Sequence, residues 1–485
     1  MKYFTKFNSL KFINQSSLSK FVVIALIFVL GIYTGYAFYT KQNPQLSQAE
    51  QKDKYISFIL ESYDKINQNY WEDLTEGQLI NVYKQNIERL TGKTYKVTLG
   101  VKSIEAPKDP SQITQNNNLG SGLSLEGNSV NDLKNLNLGT EKEDKTNYKQ
   151  AFEKMLTRAL EDIEEGKKKE FAVTVASSVL ASLQPAGRSG LFTQKQEENL
   201  KNTVQNINPD KDLYKDLGLE KGSSSEEVEQ TYKKQEEELK KEDTPESKEK
   251  LKQLTYAKDV LTDTDKKKNY DTNKVEPTIA SKNLSPSIAY LKFDKFSPTS
   301  YEEFLKSVNS YDKPDGPKAL IFDLRGNIGG AIDALPFFLG NFLGDKQYVY
   351  DFMRKGESEP YKTIGNKLGG LSRMKQVVVL IDNQTQSSAE LLAAALKRYH
   401  YGIIVGVPSK GWGTVEKVFQ MDNQIDEGEK YSIFLVHSIT LRDDNQPIEG
   451  RGVEPHINIS NPDWENQLFE YFRYLELISA VKSVI

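Results

Sequence analysis

The sequence predicts a multidomain α+β chain: an N-terminal transmembrane helix, a helical region, a charged helical insert and a C-terminal α/β core. Three observations carry this. Phe21–Tyr39 is a single uncharged, apolar run. Apolar residues recur at helical spacing through much of the first half. From about Ser287, short β-branched runs alternate with helical patterns.

The first element is the span "FVVIALIFVLGIYTGYAFY". It is close to the ~20 residues that cross a bilayer. Lys2, Lys6, Lys11 and Lys20 precede it with no acidic residue. Residues 1–20 then form a cytoplasmic basic tail, and the bulk of the chain is exported. A cleaved signal peptide is the alternative, but no clear small-residue cleavage site follows. A buried core helix is the weaker alternative, since the segment is apolar on every face. The expected location is the cell membrane, crossed once.

Residues 41–205 read as a helical region. Ile56, Ile59, Leu60 and Tyr63 share one helical face within Gln48–Thr91, and a second helical pattern runs from Tyr148 to about Leu183. Between them, residues 107–147 are rich in Asn, Gly, Ser and Asp and predict a disordered loop. Residues 211–273 are a charged stretch with helical spacing. Ser223/Glu226 and Ser224/Glu227 each fit a capping box, and Leu251, Leu254, Val260 and Leu261 supply an apolar face.

The core, residues 284–485, reads as strands "SIAYLKF", "ALIFDL", "QVVVLID", "YGIIVGV" and "YSIFLVHSIT" with helices between several of them. Two segments can carry chemistry. "IFDLRGNIGG" leaves a buried strand through a glycine-rich turn. Its backbone N–H groups at Gly329 and Gly330 can approach a ligand and stabilise an oxyanion. A tight turn alone would look the same. In "VVVLIDNQTQSSAELLAAALKRY", Ser387 stands where a buried strand meets a helix, and the Ser388 N–H follows at the helix's positive end. Two N-capping serines would also fit.

Composition limits the chemistry. Cysteine is absent, which removes disulfides, thiolate metal sites and a cysteine nucleophile. The histidines, His400, His437 and His456, have no metal-ligand spacing, so no metal and no cofactor are expected. A net charge of −4 without a basic patch argues against nucleic acid as a partner.

Together these segments resemble the tail-specific, or C-terminal processing, serine peptidases over Ser287 to about Ile459. "DLRGNIGG" is similar to that family's D-L-R-x-N-x-G-G. "QSSAELLAAAL" is similar to its S-A-S-A-S-E-I, which places the nucleophile at Ser387. "IIVGVPSKGWGTV" and "QPIEGRGVEPHI" resemble its last two motifs. The resemblance implies a crotonase/ClpP-like peptidase core and a polypeptide substrate. "ESYDKINQNYW" and "SSVLASLQPAGRSGLFT" resemble the helical region ahead of the family's PDZ domain. No PDZ-like sequence follows. "DLYKDLGLEKGSSSEEVEQTYKK" and "YAKDVLTDTDKKKNYD" instead resemble a J-domain. Its His-Pro-Asp loop is absent, and Lys240, Lys241 and Glu242 match those positions. The insert is then expected to serve self-association or an adaptor rather than a chaperone ATPase; a solvated helical hairpin is the simpler alternative.

The resemblance also exposes a substitution. The family's base lysine is Trp412 here, and the glutamine that orients that lysine is Glu416. An indole N–H only donates and cannot take the serine proton. Lys410, two residues away and ~6–7 Å along an extended chain, is the expected displaced base; an exposed loop lysine is the alternative. His400 and His437 are weaker candidates. The expected function is a membrane-anchored, extracytoplasmic serine endopeptidase acting through Ser387. A catalytically silent peptide-binding or assembly protein is the competing reading. A membrane-tethered co-chaperone is disfavoured.

Overall fold

The computed structural model describes residues 53–97, 145–442 and 444–485. The expected tail 1–20, the span Phe21–Tyr39 and nearly all of the 107–147 loop lie outside them. Among the described residues no helix is long and apolar enough to cross a membrane. The chain divides into two units, Met1–Ser57 and Phe58–Ile485; both sheets and the candidate site lie in the second.

The helical region forms where periodicity placed it. Helices α1 (Lys54–Asn69), α2 (Glu76–Thr91), α3 (Lys145–Glu161) and α4 (Lys168–Ser182) follow the expected pattern. Tyr63, Tyr83 and Phe152 pack together inside it at steep ring angles, with centroids 5.1–6.1 Å apart. The region does not stop at helices. Strand β1 (Gly190–Thr193) pairs antiparallel with a strand of the core, and α5 (Gln194–Gln205) follows it.

The charged insert is a helical unit: α6 (Leu213–Asp216), α7 (Ser225–Glu242), α8 (Pro245–Thr262) and α9 (Thr264–Asn273). Ser224 with Glu227, not Ser223 with Glu226, forms the capping box that opens α7. Leu254, Val260 and Leu261 are buried in its core beside Tyr214, Val228 and Tyr270, with Leu251 half-buried against them. Lys240, Lys241 and Glu242 fall in the last turn of α7, and only Asp243 and Thr244 link it to α8. The insert is a closed excursion, for Ile207 bridges Val275 at its two ends. Lys306 fastens it to the core through Asp263 and Asp265.

The core begins with β2 (Ile279–Ser285), β3 (Ile288–Phe293), α10 (Ser300–Ser310) and β4 (Ala319–Asp323). Next come α11 (Leu335–Leu343), the hairpin β5 (Tyr348–Arg354) and β6 (Glu357–Lys362), α12 (Gly369–Ser372) and β7 (Gln376–Ile381). Then follow α13 (Ser388–Arg398), β8 (Ile403–Gly406), β9 (Thr414–Gln420), β10 (Tyr431–Leu441), β11 (Ile457–Asn458), α14 (Trp464–Phe472) and α15 (Leu475–Val484).

One sheet runs β11-β8-β7-β4-β3-β2, parallel except for the edge strand β2. Its central strands are apolar on both faces because both are covered. Leu320, Phe322, Val377 and Val379 face α10, α11 and α13. Ile321, Val378 and Leu380 face α14 and α15. The second sheet joins β1, β10, β5 and β6, with β9 on the other side of β10.

Candidate active site

The parallel strands set the site by where they end. After β4, Asp323 is buried and held by the Tyr290 hydroxyl at 2.7 Å and by Arg325 Nη2 at 2.6 Å. Burial alone would raise the Asp323 carboxyl, but Arg325, Lys292 and Tyr290 hold it below its ordinary value. This pins the start of the Arg325–Gly330 turn. After β7, Asp382 Oδ1 accepts the N–H groups of Gly326, Gln384 and Thr385, tying that turn to the one carrying Ser387. Gln386 N completes the link by donating to Asn327 O at 2.9 Å.

Ser387 lies immediately before α13 with φ +57° and ψ −127°. Such a backbone costs an L-residue about 1–3 kcal/mol and persists only when its surroundings impose it. Here Glu390 imposes it. Ser387 N donates to Glu390 Oε2 at 2.8 Å. The same carboxylate accepts Trp412 N at 2.8 Å, Gly411 N at 2.7 Å and the Ser409 hydroxyl at 2.6 Å. Burial raises the Glu390 carboxyl above its ordinary value, and these four donors work against that rise.

The two glycines have different tasks. Gly329 (φ +78°) presses on the serine, where a Cβ would lie 2.6 Å from Ser387 Cβ. Its N–H donates to Asn327 Oδ1 at 2.8 Å. Gly329 is therefore a spacing residue, not the oxyanion donor the sequence suggested. Gly330 (φ +131°) has a Cβ direction blocked by Phe296 O at 2.1 Å. Phe296 N donates to Gly329 O and Ala331 N to Phe296 O, a bridge that leaves the Gly330 N–H unused. The Ser388 N–H is an orphan of the first helical turn, while its hydroxyl donates to Gly330 O at 3.0 Å. Gly330 and Ser388 thus offer two N–H groups beside Ser387.

Ser387, Gly330, Trp412 and Glu416 line one cavity of about 1150 Å³. Trp412 Nε1 donates to Glu416 Oε1 at 3.0 Å, and Thr414 Oγ1 donates to the same oxygen at 2.5 Å. Burial raises the Glu416 carboxyl above its ordinary value. The Arg188 guanidinium lies 3.5 Å from the Trp412 ring centroid, a close cation–π contact. Arg188 is itself held by Glu449 Oε1 through Nε at 3.1 Å and Nη2 at 3.0 Å, and Glu449 Oε2 accepts Gly413 N at 2.7 Å.

Lys410 stands outside the residues that line the cavity. Its side chain is exposed, and its amine lies 5.1 Å from the centroid of the Trp412 ring. The positive φ of Gly411 (+79°) breaks the extended geometry that the spacing argument needed. His400 lies at the end of α13 in a left-handed conformation, φ +49°. His437 does line the cavity, with its imidazole pushed down to about 4 by burial and then by Lys417 and Arg354. Arg188 and Glu449 were not foreseen; both lie far from residue 412 in sequence, and only the pairing of β1 and β10 with the core gathers them.

Residues 287–459 match the model of peptidase family S41. The chain carries a peptidase family S41 domain. Residues 212–271 match the DnaJ domain. The carboxy-terminal processing protease CtpB of Bacillus subtilis is 30% identical over 37% of this chain and 35% of its own length. CtpA of the same organism is 28% identical over 40% and 39%. A carboxy-terminal-processing protease of Bartonella bacilliformis is 27% identical over 36% and 39%. The chain therefore spans little more than a third of the length of these relatives. Among solved structures, a photosystem II D1 C-terminal processing protease aligns at 20% identity with a TM-score of 0.34, covering 39% of this chain and 50% of that one. Within the matched segment, Ser387, Gly330 and Ser388 come together, and Trp412 and Glu416 form a hydrogen-bonded pair.

Proposed function

We propose that this chain is a slow serine endopeptidase that cleaves polypeptides through Ser387, outside the cytoplasm and tethered by Phe21–Tyr39. The observation that carries the reading is the backbone of Ser387, held at φ +57° by Glu390 at the wall of a large cavity. Strain of this kind is costly and has no evident structural purpose at a simple helix cap. In the proposed reaction Ser387 Oγ attacks a peptide carbonyl, and the Gly330 and Ser388 N–H groups receive the developing oxyanion. Glu416 is the proposed proton acceptor. It shares the cavity, and its raised proton affinity moves it toward the pH at which a base is most useful.

The indole at position 412 favours a second reading, a silent member that holds peptides without cutting them. One assay separates the two. The purified full chain is incubated with an unfolded protein beside its Ser387→Ala variant. Fragments that accumulate slowly with the wild type and not with the variant are expected. Absence of cleavage in both leaves the silent reading.

A further inference from the structure

We infer that Arg188, carried by the loop between α4 and β1, is a positioning residue that fixes the Trp412 indole on Glu416. This deepens the proposed function and rests on the reading of Glu416 as the proton acceptor. It also gives the helical region a direct part in a site whose other members lie within residues 287–459.

The loop is held at both ends before it reaches the ring. Gln184 O accepts the Tyr70 hydroxyl and, at 2.7 Å, Trp71 Nε1. Arg188 N donates to Pro185 O at 3.2 Å, which closes the turn. Ser189 is buried, and its hydroxyl accepts Val436 N at 3.1 Å. Gly190 then enters β1 opposite Phe434 of β10. Arg188 is thus presented to the core from a fixed backbone.

What Arg188 adds is the orientation of the ring. Trp412 N is held by Glu390 Oε2 at 2.8 Å and Gly413 N by Glu449 Oε2 at 2.7 Å, so the backbone on both sides of the indole is already fixed. Only rotation about the side-chain bonds remains. The guanidinium lies 3.5 Å from the ring centroid while its Nε and Nη2 donate to Glu449 Oε1 at 3.1 and 3.0 Å. A planar fork bound through two nitrogens has its plane set by the carboxylate, and a ring stacked on that plane is set in turn. Lys410 cannot do this: its amine is 5.1 Å from the centroid, and an ammonium has no plane to align. A strut between β1 and the core would need the Glu449 pair but not the stack. With the ring held, Nε1 meets Glu416 Oε1 at 3.0 Å, the oxygen that Thr414 Oγ1 also engages at 2.5 Å. These two donors fix how the carboxyl faces the cavity. Burial raises that carboxyl, and the Arg188 charge acts with both donors against the rise.

The test reads the indole itself, on the full chain without substrate. The tryptophans are Trp71, Trp412 and Trp464. With isotope-labelled indoles each gives one N–H resonance in NMR spectra, and Trp412→Phe assigns the one in question. Arg188→Met, which keeps an apolar stem, should speed hydrogen exchange at the Trp412 indole by at least about tenfold. Trp71 and Trp464 should keep their resonance positions, and Arg188→Lys should restore part of the protection. Unchanged exchange at Trp412 overturns the inference, because the stack would then be idle. Exchange that quickens equally at all three indoles also overturns it, because Arg188 would then be a strut for the whole fold. Should Arg188→Met not melt cooperatively, Glu449→Gln decides, since it loosens the guanidinium without changing residue 188. Exchange at Trp412 should again quicken, and no change overturns the inference. Cleavage of unfolded protein is scored separately. Arg188→Met should lower kcat roughly tenfold with KM within about twofold; a loss confined to KM would place Arg188 in substrate binding and overturn the inference. A wild-type chain that never cleaves would refute the proposed function and leave the exchange result standing, so the two failures are distinct.

Discussion

Replacing Trp412 by lysine asks whether the indole occupies the place of a base. A positioned general base contributes about 10²–10⁴-fold, or roughly 3–5.5 kcal/mol. To serve, a new lysine must fall from ~10.4 to ~7–8, a cost of about 4 kcal/mol. Arg188 helps. Its guanidinium lies 3.5 Å from the present ring centroid. An amine about 5 Å from it is disfavoured as a cation by ~3 kcal/mol at an effective dielectric of ~20. Glu449, bound to Arg188 through two nitrogens, cancels part of this. Glu416 works the other way. Ionised about 3 Å from the new amine, it would favour the ammonium by ~5 kcal/mol on the same scale. Trp412→Lys alone should therefore raise kcat/KM less than about tenfold. Trp412→Lys with Glu416→Gln should raise it by roughly 10²-fold, because glutamine accepts from the amine without stabilising its charge. Glu416→Gln alone should slow the wild type, since it removes the proposed acceptor. The assay is initial-rate cleavage of an unfolded protein, with the Ser387→Ala background subtracted. A double variant no faster than the wild type would refute the assignment of Trp412 to the base position.

Three further outcomes follow. Gly330→Ala should abolish activity and lower stability, because its Cβ would meet Phe296 O at 2.1 Å and the residue has φ +131°; cleavage and thermal melting together check it. Glu416→Gln should also change the pH dependence of stability. The wild-type carboxyl is raised in the folded state, so its contribution is fully present below the unfolded value and is lost as pH rises through the folded one; melting curves from pH 4 to 8 should converge at the acid end and favour the variant at the basic end. The full chain should fail to stimulate a heat-shock ATPase, since only Asp243 and Thr244 lie between α7 and α8; clear stimulation would show that another loop performs the task.

The parts of the fold legible in sequence were those buried on both faces. β3, β4, β7 and β8 are apolar runs because helices cover them, and each was found, as was the long, largely buried strand β10. The hairpin β5–β6 and the strand β9 were not. β6 is an exposed edge carrying Pro360, and β9 is charged and polar along much of its length, so neither shows a clean alternation. The position of Ser387 between a strand and a helix was legible because a strand, a polar turn and a helix are local. The place of Lys410 was less legible, because a two-residue spacing predicts a shared side only in an extended segment, and Gly411 turns the chain. Arg188 could not be found by spacing at all.

The remaining question is how the candidate site keeps its geometry with a tryptophan at position 412. Glu390 supplies the answer. It holds the 409–412 segment by the Gly411 and Trp412 backbone N–H groups and the Ser409 hydroxyl, none of which depends on the side chain at 412. The same carboxylate holds Ser387 N. The position of Ser387 is therefore set by a largely backbone network, whereas the proposed proton transfer depends on side chains that the network leaves free to vary. The Trp412 ring then needs its own support, which Arg188 and Glu449 provide, with Glu449 also fixing Gly413 N. A lysine installed at 412 would inherit the backbone network intact. For that reason a gain of function there is a fair test of the chemistry rather than of the fold.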